Sequence, residues 1–300
     1  MTTVSTIRDR IISRLNGSET RRIDVLGATC ATADTTIHAT LLPASLKQDA
    51  IVQVGTEQLR VTAVSGTTVT VLRGWNGTTA IQHATASIVD VNPRWSAQLI
   101  NELMKEELAS WPIELGPIHA QELTLAKDAR TVSLADDSYT GDVLRLMTVK
   151  AITNPTKDYR ERLRIPAVLA FDPDASLEPQ GVAIQFPQTY NEALTIEVEY
   201  LTSYDLSLLD TDSTDLETTL LMDEHMLDIL IYGTAARAMM SREASRSSSA
   251  DQTAVANEQV PPTYLQQTGQ FLRQMRDQRI SDEIYRLYGL YPMLQSTTEV

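Results

Sequence analysis

Apolar residues at Val4, Ile7, Ile11, Ile12 and Leu15 recur at helical spacing, and Asn16-Gly17 stops the pattern, so an amphipathic N-terminal helix is expected over 1–17. The period then falls to two. Short β-branched runs at Ile23–Leu26, Thr36–Leu42, Ala50–Val54, Gln58–Val64, Thr67–Leu72 and Ala86–Val91 are divided by Gly, Asn, Asp or Pro, which predicts a small antiparallel β module over 18–92. Ser65-Gly66 joins two alternating runs, and Asn76-Gly77 offers the positive-φ pair that tight hairpin turns favour. Pro93, tolerated in a first helical turn, opens a bundle helix over 93–112. Its stripe is Trp95, Leu99, Ile100, Leu103, Met104, Leu108 and Trp111, and Pro112 ends it.

A second β domain is expected over 113–204, with strands at Leu123–Leu125, Thr131–Leu134, Val143–Val149, Leu163–Ile165, Val182–Phe186 and Leu194–Tyr200. Turns are expected at Asp136-Asp137, Asn154-Pro155, Asp172-Pro173-Asp174 and Glu178-Pro179. The run Thr195–Tyr200 alternates cleanly, which predicts one wet face. Residues 205–300 read as an acidic linker and a C-terminal helical hairpin. Its first arm, about Leu220–Arg242, is apolar around most of its circumference, a mobile Ser- and Ala-rich loop covers 245–260, and Pro261-Pro262 opens the second arm. The fold class expected is α+β: a core of about four helices with two small antiparallel β modules inserted.

Charge changes this picture more than composition does. The chain has 25 Lys and Arg against 39 Asp and Glu, a net charge of −14, which excludes a protein that grips nucleic acid by neutralising phosphates. Eleven of the acids lie between Asn191 and Leu230, where there is no Lys or Arg. Asp205, Asp210, Asp212, Asp215 and Glu217 form the candidate acidic belt, either a solvated face or a surface complementary to another copy or partner. Both ends are mildly basic. On the last helix Arg273, Arg276, Arg279 and Arg286 are the candidate partner-docking residues, with pairing to Asp277, Asp282 and Glu283 as the plainer alternative. The N-terminus lacks the apolar run of a signal peptide, and no stretch has the length and apolarity to span a bilayer.

Catalytic signatures are missing. None of the twelve glycines falls in a phosphate-cradling or nucleophile-elbow motif. Cys30 precludes an intramolecular disulfide and reads as a small buried side chain, and His38, His83 and His119 as surface or structural histidines. His225 and Asp228, one helical turn apart, are the local pair a metal would use, but helix-start acids explain the same residues. No catalytic, cofactor or metal site is assigned, no cofactor is expected, and the chain is read as non-enzymatic.

Three stretches carry a resemblance. The run Glu57–Val71, followed by Arg73-Gly74-Trp75-Asn76-Gly77-Thr78-Thr79-Ala80 and His83-Ala84, resembles a small β module common in structural proteins of tailed bacteriophages, with Arg73, Gly74, Asn76 and Gly77 at a turn that closes a hairpin. The stretch Gly233-Thr234-Ala235-Ala236-Arg237 is similar to a helix of phage head–tail connector (neck adaptor) proteins, and the Pro261-Pro262 helix with spaced arginines resembles the second arm of their helical hairpin. The resemblance implies a structural virion protein, a ring of twelve copies docked under the portal and joined to a tail or head-closure protein. DNA would pass through its lumen without specific binding, walled by the acidic belt, and the β modules would contact neighbours or anchor fibres. It implies assembly in the host cytoplasm, a final place in the virion neck and no membrane partner. The alternatives weighed beside it are a tail or baseplate protein anchoring fibres or spikes and, further off, a metal-dependent hydrolase.

Overall fold

The computed structural model describes residues 2–16, 23–38, 40, 46–134, 142–153, 161–171, 182–248 and 264–291. Among them are four α-helices: α1 (Val4–Asn16), α2 (Ala97–Ala109), α3 (Glu224–Ser248) and α4 (Tyr264–Leu290). The chain divides into two compact units, one of Met1–Val4, Glu107–Leu230 and Gln274–Val300, the other of Ser5–Glu106 and Ile231–Arg273. None of the helices of the described residues is long and apolar enough to cross a membrane.

The unit Ser5–Glu106 with Ile231–Arg273 is built on a six-stranded antiparallel sheet. Its strands are β1 (Ile23–Val25), β2 (Thr36–His38), β3 (Ile51–Val54), β4 (Glu57–Ser65), β5 (Thr68–Leu72) and β6 (Ile88–Val91), in the order β1-β6-β3-β4-β5-β2. Alternation decides what is buried: Val69 and Val71 of β5 enter the core while Thr68 and Thr70 stay half-exposed. Val52, Leu59, Val61 and Val89 join them in one apolar cluster. β4 and β5 form the hairpin expected at Ser65-Gly66, with Ser65 opposite Thr68 and Gly66 at φ +58. Within this unit α3 and α4 approach closely, since a Cβ on Gly269 would sit 2.9 Å from Met240 and 3.3 Å from the Ala236 carbonyl.

The other unit carries two further antiparallel sheets. One has the order β10 (Glu161–Arg164), β9 (Val143–Thr153), β13 (Leu194–Thr202), β7 (Ile118–Leu125); the other runs β11 (Val168–Phe171), β12 (Val182–Gln185), β8 (Thr131–Ser133). Leu125, Val149, Ile196, Val198 and Tyr200 of the first and Ile184 of the second share an apolar cluster with Leu134 and Phe186. The expected wet face of β13 is an ion ladder. β13 is a central strand, and Glu197 meets Arg162 at 2.9 Å while Glu199 meets Lys150 at 2.7 Å. The first residues of the chain close this unit: Thr3 bridges Asp215, the Val4 N–H donates to the Thr214 carbonyl, and the Leu216 N–H donates to Thr2.

These sheets correct the expected fold class. A core of about four helices bearing two small β modules gives way, among the described residues, to three separate antiparallel sheets of six, four and three strands, and both apolar clusters above are built mainly on sheet residues. Residues 113–204 read as one module because their strands are short, yet they divide between two sheets. Helix starts move as well. Ser96 accepts a hydrogen bond from the Leu99 N–H at 3.2 Å, so α2 begins after this cap and not at Pro93. Asp223 caps α3 through the Met226 N–H at 3.0 Å, so the helix begins at Glu224, four residues beyond the expected start at Leu220, and continues through 245–248. The rest of the expected mobile loop, Pro261-Pro262, and the turns at 136–137, 154–155, 172–174 and 178–179 lie outside the described residues.

Candidate functional site

The Arg73-Gly74 stretch leads to a buried polar network. Glu57, at the start of β4, is fully buried, and both its carboxylate oxygens are engaged. Oε1 accepts from Arg73 Nε at 2.6 Å and from the Gly74 N–H at 3.2 Å. Oε2 accepts from Arg73 Nη2 at 2.7 Å, from the Ile81 N–H at 3.2 Å, and from His83 Nε2 at 2.8 Å. A carboxylate only accepts, so the His83 ring carries its proton on Nε2. Arg73 spends its remaining donor capacity on the carbonyls of Ala31, Asp34 and Ile81 and on Cys30 Sγ at 3.1 Å. One guanidinium thus ties the end of β5 to two loops and the start of β4. Hydrogen bonding to Glu57, with its Coulombic attraction, raises Arg73 above its ordinary pKa despite burial.

The turn beyond Arg73 follows from residue type. Gly74, Asn76 and Gly77 take φ of +62, +54 and +79, values glycine and asparagine accept most easily. Asn76 Nδ2 donates to Gln58 Oε1 at 2.7 Å, Thr78 Oγ1 caps the Trp75 carbonyl at 2.9 Å, and Arg60 stacks 4.8 Å from the Trp75 ring. The expected hairpin at Asn76-Gly77 is corrected: β5 and β6 are not neighbours, since β3 and β4 lie between them, and the positive-φ residues shape a connecting loop. The two glycines are not equivalent. A Cβ on Gly74 would sit 2.8 Å from the Thr78 carbonyl oxygen, whereas one on Gly77 would meet open space. Gly77→Ala is therefore expected to cost about 1 kcal/mol from backbone strain alone and Gly74→Ala about 2–3 kcal/mol, compared by urea unfolding midpoints. Equal losses would show that the Thr78 contact carries no weight.

The remaining candidate residues scatter into local roles. Arg276 is held internally, its Nε 2.7 Å from Glu107, Nη2 3.0 Å from Ser110 and Nη1 2.8 Å from Asp277. Arg286 pairs with Glu283 and Asp223. Arg273 and Arg279 are exposed, so two of the four expected docking arginines are available and two are tied within the unit. Nor is the acidic belt one wet face. Asp205 caps a short 3-10 turn through the Ser207 N–H, buried Asp215 accepts from the N–H groups of Thr2 and Glu217, and Glu217 accepts from the Thr2 hydroxyl. Asp210 is exposed and Asp212 half-buried. His225 lines a small cleft of about 160 Å3 with Arg279, Asp282, Glu283 and Arg286. No cluster of three or more potential metal ligands occurs among the described residues.

Glu57 and His83 stand in the stretches that carry the resemblance, and Cys30 reads as buried, but sequence reasoning gave none of the three a place in a shared network. The acid partner of His83 lies 26 positions upstream, beyond any local pattern, and only the pairing of β3 with both β4 and β6 brings the two together. Cys30 is buried as expected, but its backbone pairs with that of His83. Burial pushes the Cys30 thiol up in pKa, outweighing the pull of Arg73, so it is no ready nucleophile. A carboxylate saturated by five donors has no lone pair to offer a substrate, and the chemistry of this network is to hold loops in place. No protein-family model matches the chain, and no curated protein matches it.

Proposed function

We propose that the protein is a structural, non-enzymatic virion component, a head–tail adaptor that assembles as a ring under the portal and passes DNA through its lumen. The observation that carries the reading is the use to which the Arg73–His83 stretch is put. The residues that give the chain its resemblance to phage structural modules are engaged with one another, as a fastening between strands and loops, with the carboxylate, guanidinium and imidazole all turned inward. A chain with net charge −14 lets a polyanion pass without holding it. Arg273 and Arg279 are the residues proposed to meet a partner protein, with portal and tail or head-closure proteins as the partners.

Electron microscopy of the purified protein, alone and mixed with a candidate portal, tests this. Twelvefold rings, free or formed only on the portal, are expected. Three- or sixfold particles would move the protein to the tail or baseplate, and a persistent monomer that joins no virion component would end the assembly reading.

A further inference from the structure

We propose that Asn76 is a spontaneous modification site, a deamidation position that the folded loop holds closed and that reacts when the loop opens. Asn76-Gly77 is one of two Asn-Gly pairs in the chain, the other being Asn16-Gly17. Asparagine before glycine is the pairing most open to cyclisation, because no side chain shields the nitrogen that follows. Both residues are exposed here, and a Cβ on Gly77 would meet open space, so water and base reach the bond freely. The reaction is a ring closure. The Gly77 nitrogen gives up its proton to solvent base and attacks Asn76 Cγ; the new C–N bond closes a succinimide as the Cγ–Nδ2 bond breaks and ammonia leaves. Water then adds to one of the two imide carbonyls and opens the ring to aspartate or isoaspartate. No reagent beyond water is consumed.

The loop geometry opposes this step. Ring closure needs the Gly77 nitrogen on the same side of the Cα–C bond as Cβ. Asn76 instead sits at φ 54 and ψ 30, left-handed backbone in which that nitrogen lies nearly anti to Cβ and out of reach of Cγ. Side-chain contacts hold the arrangement. Asn76 Nδ2 donates to Oε1 of buried Gln58 at 2.7 Å, and the Gln58 N–H donates to Thr78 Oγ1 at 3.0 Å. Thr78 Oγ1 in turn donates to the Trp75 carbonyl at 2.9 Å, and the Thr78 N–H meets the same oxygen at 3.2 Å. β4 thus grips the loop on both sides of the reactive bond. Attack requires ψ of Asn76 to rotate and the Gln58 contact to break, so the reaction follows the population of an opened loop. The isoaspartyl product carries an extra main-chain carbon within a tight positive-φ turn, and the released ammonia does not return. Each conversion is a permanent record of an opening.

Peptide mapping by mass spectrometry, which separates Asn76 from Asn16 and isoaspartate from aspartate, reads the conversion. The full-length protein is held in warm, mildly alkaline buffer with and without guanidinium chloride. Conversion at Asn76 is expected in denaturant, and at least about tenfold more slowly without it. Gly77→Ala should slow the denatured-state reaction severalfold, as attack through the Gly77 nitrogen requires. In native buffer Gln58→Ala, checked by circular dichroism for an unchanged fold, should speed conversion about two- to tenfold, the weight of one hydrogen bond. Thr78→Val keeps the side-chain shape while removing the Oγ1 contacts, and it should act in the same direction. Equal rates with and without denaturant, no conversion at Asn76 in denaturant, or a native rate unmoved by both loop variants would each overturn the proposal.

Discussion

Glu57→Ala should destabilise the six-stranded unit by about 3–5 kcal/mol, the cost of breaking a buried ion pair from one side. The substitution leaves the Arg73 guanidinium, 8% exposed, without its counter-charge. It also strands two backbone N–H groups and the His83 ring. The Glu57→Leu, Arg73→Met double variant should lose less than the sum of its single changes, because no charge is then left uncompensated. Urea unfolding followed by fluorescence of Trp75, which sits in the tethered loop, reads the effect; a loss under about 1 kcal/mol would mean that the network contributes no more than a surface pair. Acid gives an independent check. Burial alone would lift the Glu57 carboxyl, but hydrogen bonds from Arg73, Ile81, His83 and Gly74 outweigh it and hold the pKa below its ordinary value of 4.5. The stabilisation is therefore complete above about that pH and is lost as pH falls through the lowered folded value, where the unfolded chain binds a proton the folded one resists. Wild-type stability should decline steeply in that acidic window, and Glu57→Gln, less stable throughout, should lose that part of the slope.

A second large loss is expected for Arg276→Met. Glu107, 3% exposed, accepts from Arg276 Nε at 2.7 Å and from Trp111 Nε1 at 3.1 Å. Removing the arginine leaves a buried carboxylate with an indole as its remaining side-chain donor among these contacts. The cost should be about 3 kcal/mol, the low end for a buried pair because Arg276 keeps 16% exposure, which corresponds to a fall in Tm on the order of 10 °C. Adding Glu107→Leu should recover part of the loss. If the single variant melts within about 2 °C of wild type, Arg276 returns to the set of residues available to a partner.

Periodicity located the strands well and their grouping badly. Val69 and Val71 alternate with threonines and are buried as such a pattern requires, and α1 carries its expected apolar stripe inward. β11 escaped notice because Pro166 and Pro173 flank it, and a four-residue run between prolines reads as loop. Whether β8 joins β7 or β12 depends on pairings between residues some fifty positions apart, as with Ser133 and Ala183, about which local composition says nothing. The same limit governs the site. Arg73, Gly74, Asn76 and Gly77 were legible because turn chemistry is local, whereas Glu57 stands in a strand where an acid reads as a solvent-facing residue. The arginines of α4 show the complementary limit: local spacing offers Asp277 and Glu283 as partners, and both pairs form, but Glu107, 169 positions from Arg276, could not be read from the sequence.

Thr2 hydrogen-bonds Asp215 across 213 positions. Thr2 thus waits for a partner made 213 positions later, and at about 5–20 residues per second that interval is about 10–40 s. During synthesis the segment preceding α1 has no native partner, while the six-stranded sheet can already pair most of its strands. A polypeptide appended ahead of Thr2 would have to be accommodated in that delayed clasp, so the position of a purification tag bears directly on how cleanly nascent chains mature.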